Sequence, residues 1–128
     1  MDEAVRYWVD LAEYDLGTAD AMLRTGRYLY VGFMCHQTVE KDLKAWYQAA
    51  RGELPPRTHN LRLLLQAIGA EKEVRAEDRR LIAELEPLNV ETRYPENRAR
   101  LEKALTRRKC DELVRRTAGF HTWIKSKL

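Results

Sequence analysis

Six glycines and four prolines in 128 residues fall below the roughly 12% of average usage, and that scarcity disfavours a turn-rich all-β fold. Serine occurs once, as Ser126 close to the C-terminal end, which leaves no plausible serine–histidine–carboxylate triad. The two cysteines, Cys35 and Cys110, stand far apart without metal-ligand spacing, and nothing resembling a signal peptide precedes Asp2. These features predict a protein of the reducing cytoplasm. No apolar run approaches the roughly 18 residues that cross a bilayer, so a soluble protein with no membrane partner is expected. Phosphate-loop, dinucleotide and His-Glu-x-x-His signatures are absent. The three histidines, His36, His59 and His121, have no Cys or His partner at ligand spacing, so neither a metal nor a cofactor is expected.

Hydrophobic residues make up 45% of the chain and charged residues 34%, enough for one packed core under a heavily charged surface. The length fits a single domain over residues 1–128. The net charge is only +3, but its distribution is uneven. From Arg98 to Arg116 eight basic residues face three acidic ones, Glu102, Asp111 and Glu112.

Apolar periodicity predicts helices throughout. Val5, Trp8, Ala12, Leu16, Ala19 and Leu23 recur every three or four residues between Asp2 and Arg24. A second helix runs from Tyr28 to about Ala50 with Val31, Cys35, Val39, Trp46 and Ala50 on one face. Gly52, Pro55 and Pro56 then make a loop, with Thr58 as a plausible N-cap for a third helix carrying Leu61, Leu64, Leu65 and Ile68 and ending at Gly69. Leu81, Ile82, Leu85 and Leu88 mark a fourth. Between Asn89 and Glu96 the pattern stops, with Pro95 holding Tyr94 out of helical torsions. One last helix begins between Asn97 and Lys103 and carries Leu113, Thr117, Phe120, Ile124 and Leu128. The expected fold is all-α, an antiparallel bundle of about five helices.

Two polar clusters stand out. Gln37, Glu40, Lys41 and Lys44 fall within about 100° of arc on the second helix, opposite its apolar stripe. The plain alternative is a solvated face in which Glu40 and Lys44 form an i,i+4 pair of about 0.2–0.5 kcal/mol. The other cluster is Thr92-Arg93-Tyr94-Pro95, an arginine and an aromatic on a non-helical connection, suited to clamping a phosphate and stacking a base. Its alternative is a structural turn with Arg93 paired to a carboxylate. Cys35 reads as core, His36 as a residue at the core boundary, and His59 as exposed or donating to a loop carbonyl. The basic run Arg107-Arg108-Lys109 with Arg115 and Arg116 is compatible with phosphate contacts, and equally with a solvated helix face.

Ala12-x-x-Asp15-Leu16-x-x-Ala19, Gln37-x-x-Glu40-Lys41-x-Leu43-Lys44-Ala45, Pro56-x-Thr58-His59-Asn60-Leu61 and Arg93-Tyr94-Pro95 follow one another along the chain. Together they resemble the HEPN domain, the higher eukaryotes and prokaryotes nucleotide-binding family, over roughly residues 4–125. Asn60 replaces an acidic residue frequent in the family and keeps its capping capacity. The resemblance implies a small prokaryotic helical protein, a homodimer, often paired with a minimal nucleotidyltransferase as toxin and antitoxin. One branch of the family consists of metal-independent ribonucleases with an Arg-x4-6-His pair. Another, with Arg-Tyr-Pro, lacks that pair and is inferred to bind a nucleotide or a partner.

Arg116 and His121 satisfy the Arg-x4-His spacing, with Arg115 one place further from the histidine. In a ribonuclease the histidine would exchange protons with the RNA 2′-hydroxyl and the arginine would stabilise charge on the phosphate. On a regular helix positions five apart diverge by about 140°, so the two would share a site only if Gly119 kinked the helix. The family's ribonuclease branch continues His-x-Tyr, and Trp123 here offers no phenol for nucleotidylation. The expected function is therefore a non-catalytic nucleotide- or RNA-binding module using Gln37, Glu40, Lys41, Lys44, Arg93 and Tyr94 in one groove. The alternatives are an endoribonuclease toxin using Arg116 and His121, and a helical adaptor without a ligand.

Overall fold

A computed structural model describes residues 1–91 and 94–128, and for Val90 and Glu91 the main chain alone. Among the described residues seven α-helices follow in order: α1 Glu3–Arg24, α2 Tyr28–Arg51, α3 Leu61–Ile68, α4 Ala76–Leu85, α5 Leu88–Glu91, α6 Pro95–Ala104 and α7 Arg107–Lys127, with a 3-10 turn at Glu71–Glu73. No strand occurs among the described residues. None of the helices is long and apolar enough to cross a membrane.

Local chemistry sets the boundaries. Asp2 caps α1 by accepting from the Val5 amide at 2.9 Å. Gly52 (φ 68°) and Gly69 (φ 78°) close α2 and α3 in the left-handed region that other residues avoid. The cap of α3 is Asn60, whose Oδ1 accepts from the Leu63 amide at 2.9 Å. Thr58 sits two residues earlier and accepts from the Asn60 amide at 3.1 Å, so the expected cap is displaced by two positions.

The stretch after Asn89 departs from the sequence reading in two ways. Leu88–Glu91 form a helical turn, and Pro95 opens α6 at its first turn, where a missing N–H costs nothing. Tyr94 is extended (φ −112°, ψ 125°), as its place before a proline requires. The single last helix is in fact two. Leu105 leaves helical torsions (φ −91°, ψ 67°), and Thr106 restarts the chain as α7 by accepting from the Lys109 amide at 3.2 Å.

α2 is the axis of the bundle. Thirteen of its 24 residues are buried, too many for one amphipathic stripe, because neighbours pack on it from several sides. α1 and α7 lie along it, α3 and α4 cover a further side, and α5 crosses its first half. There Leu88 lies so close to Gly32 that a β-carbon would stand 2.6 Å from its Cδ1. The main core joins Val31, Cys35, Val39 and Leu43 of α2 to Leu61, Leu64, Leu81, Leu85, Leu113, Phe120 and Ile124. Trp46 and Trp123 meet edge to face, with ring centroids 5.6 Å apart.

Candidate functional site

Because α2 is surrounded, its polar row is enclosed, and the solvated-face alternative does not describe it. Glu40 is 1% exposed and Lys44 8%. The four residues divide between two networks. Lys41 Nζ donates to Asp15 Oδ2 of α1 at 3.2 Å and to Gln37 Oε1 at 2.8 Å. Gln37 Nε2 donates in turn to Asn89 Oδ1 of α5 at 3.3 Å. Lys41 and Asp15 remain slightly open, each side chain 16% exposed.

The second network centres on Glu40. Its Oε2 accepts from Lys44 Nζ at 3.0 Å, and its Oε1 pairs with His59 Nδ1 at 2.9 Å. His59 is exposed, one of its two expected placements, while its ring pairs with a carboxylate and not with a loop carbonyl. The Asn60 cap and the Glu86 carboxylate on the Leu61 amide (3.0 and 3.1 Å) hold this segment in place. The Lys44 ammonium also lies 5.3 Å from the Trp8 ring centroid, a cation–π contact. His36, expected at the boundary, is fully enclosed, 4.0 Å from Glu40. Neither of its ring nitrogens has a hydrogen-bond partner among the described residues. Burial pushes its imidazole down to about 4 against the opposing pull of Glu40.

Tyr94 stands at the start of α6, 49% exposed. Arg93 and Thr92 lie outside the described residues. The row reaches α5 through Gln37 and Asn89, the latter four residues before Arg93 in the sequence.

Arg116 and His121 face different neighbours. Arg116 Nη2 holds Glu84 of α4 at 2.6 Å and Nη1 holds Glu112 at 3.0 Å. Hydrogen bonds from Arg116, with Lys109 adding to them, hold the Glu84 carboxyl down at about 2. His121 turns towards α2, where its Nδ1 meets Asp42 Oδ1 at 2.7 Å. Its Nε2 lies 3.4 Å from Glu13 of α1, which Lys125 also binds at 2.7 Å. α7 runs unbroken through Gly119, so the angular separation of a regular helix stands.

Burial raises the Asp42 carboxyl, and its Oδ2 has no hydrogen-bond partner among the described residues. Although burial opposes it, the bonds to Asp42 and Glu13 hold the His121 imidazole above its ordinary value. Periodicity alone does not single out this cluster, yet a signal is present: Asp42 falls between Val39 and Trp46 in the apolar stripe of α2. A carboxylate in such a stripe announces a buried partner. Among the described residues no group of three or more His, Cys, Asp or Glu side chains is placed to hold a metal ion.

Comparison with known proteins bears on the fold and the family. No curated protein matches. The crystal structure of TT1696 from Thermus thermophilus is similar over 99% of this chain and 100% of that one, with 24% identity and a TM-score of 0.85. That likeness supports the bundle architecture. The HEPN domain model matches residues 5–127, nearly the whole length. The chain belongs to the HEPN domain family.

Proposed function

We propose that this protein is a non-catalytic HEPN module that binds a nucleotide or an RNA end where the polar row of α2 meets the α5–α6 connection. The observation that carries this reading is the Gln37–Asn89 hydrogen bond, which brings the row to the chain segment leading into Arg93 and Tyr94. Lys41, partly open beside it, supplies a cation, and Tyr94 supplies an exposed ring. Glu40 and Lys44 act beneath, tying the row to His59 and Trp8 so that the residues above keep their positions. The module functions as a homodimer and serves a minimal nucleotidyltransferase in a toxin–antitoxin type pair.

Calorimetric titration with nucleoside mono- and triphosphates tests the site. Lys41→Ala and Arg93→Ala are each expected to weaken binding about tenfold or more, the loss of one charge-assisted contact. Binding that survives both changes intact refutes the site.

The second reading, an endoribonuclease using Arg116 and His121, draws support from the Asp42 carboxylate behind the imidazole, an arrangement that orients catalytic histidines. Against it stands the engagement of Arg116 with Glu84 and Glu112 on another side of α7. Incubation with RNA without divalent metal is expected to leave the RNA intact. Cleavage by the wild type that His121→Ala abolishes would reverse the choice between the two readings.

A further inference from the structure

α1 carries a second stripe besides the one it buries. Ala4, Tyr7, Leu11, Tyr14, Thr18 and Ala21 recur at alternating steps of three and four residues. They fall within about 100° of arc, on the side away from the buried Val5, Val9, Ala12 and Ala19. None of the six is buried, and Tyr7 and Tyr14, one heptad apart, are 59% and 75% exposed. The stripe is uncharged and follows most of a 22-residue helix, about 33 Å in length. Its Thr18 hydroxyl donates to the Tyr14 carbonyl at 3.1 Å, so it brings no unsatisfied donor to the surface. The Tyr7 ring is held edge to face against Trp8, with centroids 5.3 Å apart. Charge along α1 is divided between its halves. From Asp2 to Asp15 five acidic residues stand with one basic residue, Arg6, whereas from Leu16 to Arg27 Asp20 stands with Arg24 and Arg27. Glu3 has no cation at ion-pair distance among the described residues, and Arg24 is held only by Asp20 on exposed surface.

We infer that this stripe is the face on which a second copy of the chain docks, α1 against α1 in antiparallel register, about a two-fold axis between Leu11 and Tyr14. The face rests on the reading of the module as a homodimer and names its interface. Heptad spacing keeps one seam in contact along two paired helices, and a two-fold needs a surface that complements itself. Charge sets the direction. A parallel pair lays the acidic half of α1 on its own copy, whereas the antiparallel pair lays it on the half with Arg24 and Arg27. Glu3 then comes to Arg24 at both ends of the seam, and the two helix dipoles oppose each other. In that register Ala4 meets Ala21, Tyr7 meets Thr18 and Leu11 meets Tyr14, with the exposed rings in the middle of the contact, where tyrosine is enriched in protein interfaces. One helix pair is a small interface, so a micromolar, concentration-dependent dimer is expected.

Sedimentation velocity of the full chain between about 1 and 200 µM reads the association. Leu11→Glu sets two carboxylates beside the axis and should weaken the dimer about thirtyfold or more, the loss of a central anchor. Tyr30→Glu, which changes an exposed tyrosine of α2, should leave it unaltered. Neither side chain is buried, so circular dichroism should show the fold unchanged. Register is read by cross-linking. A chain with Tyr7→Cys mixed with a chain with Thr18→Cys should form a disulfide-linked pair on mild oxidation. Neither chain should link to itself, because the two copies of position 7 lie about 16 Å apart along the antiparallel seam. The native Cys35 and Cys110 are buried and do not compete. If the chain dimerises and Leu11→Glu has no effect, or each single-cysteine chain links to itself, the face or its direction is wrong although the dimer survives. If AMP binds while the chain stays monomeric throughout the range, the face is wrong and the nucleotide site survives. If AMP fails to bind and association follows Leu11 and the mixed cross-link, the face stands and the nucleotide site falls.

Discussion

Glu40→Ala is expected to destabilise the bundle by about 3–5 kcal/mol, the range for removing one partner from a buried ion pair. The Glu40 side chain is 2% exposed and that of Lys44 10%, so the change strands an ammonium in the interior beside the Trp8 ring. His59 loses its acceptor at the same time, which loosens the segment capped by Asn60. Urea unfolding at pH 7 measures the loss. Glu40→Gln keeps one oxygen acceptor, enough for one of the two partners, and should cost less. A loss below about 1 kcal/mol for the alanine variant, the level of a surface pair, would show that Lys44 escapes to water and that the row is not an enclosed network.

His36→Leu is expected to become more stable relative to the wild type as pH falls. In the folded chain burial holds His36 at about 4, whereas the unfolded chain has the ordinary 6.5, so protons favour unfolding throughout that interval. The stability conferred by a neutral, buried imidazole is complete above 6.5 and is lost as pH falls towards 4. The fall from 6.5 to about 4 corresponds to roughly 3 kcal/mol, which the leucine variant avoids. The comparison isolates His36. Asp42 and His121, whose raised values favour the folded chain in acid, are common to both proteins and cancel in the difference. Denaturation midpoints at pH 7, 6, 5 and 4 give the result directly. A difference between the two proteins that stays constant across the range would mean that His36 finds a proton acceptor in the fold.

Much of the architecture is legible in the sequence because it depends on apolar spacing. α1, α2 and α3 appear within two residues of their expected limits, since Asp2, Gly52 and Gly69 are strong local punctuation. The break at Leu105–Thr106 leaves slighter signs, because Leu101, Leu105, Cys110 and Leu113 all stay buried across it. The five-residue step from Leu105 to Cys110, about 140° on a regular helix, and Thr106 as a capping threonine mark it. The surroundings of the polar row are hidden for another reason. Helical periodicity says which residues share a face, and it does not say whether a second layer of helices covers that face. Trp8 of α1 beside Lys44 and His59 of the α2–α3 loop on Glu40 belong to the cover that makes these two interior residues. Long-range partners such as Asp15 for Lys41 and Asn89 for Gln37 are invisible for the same reason.

The most direct trial of the nucleotide site is a two-dimensional amide spectrum of the labelled protein recorded while AMP is added. The side-chain amides of Gln37 and Asn89 and the main-chain amide of Tyr94 are predicted to shift together along one saturable curve. Shifts confined to another surface, or a spectrum that does not respond to AMP, would contradict it.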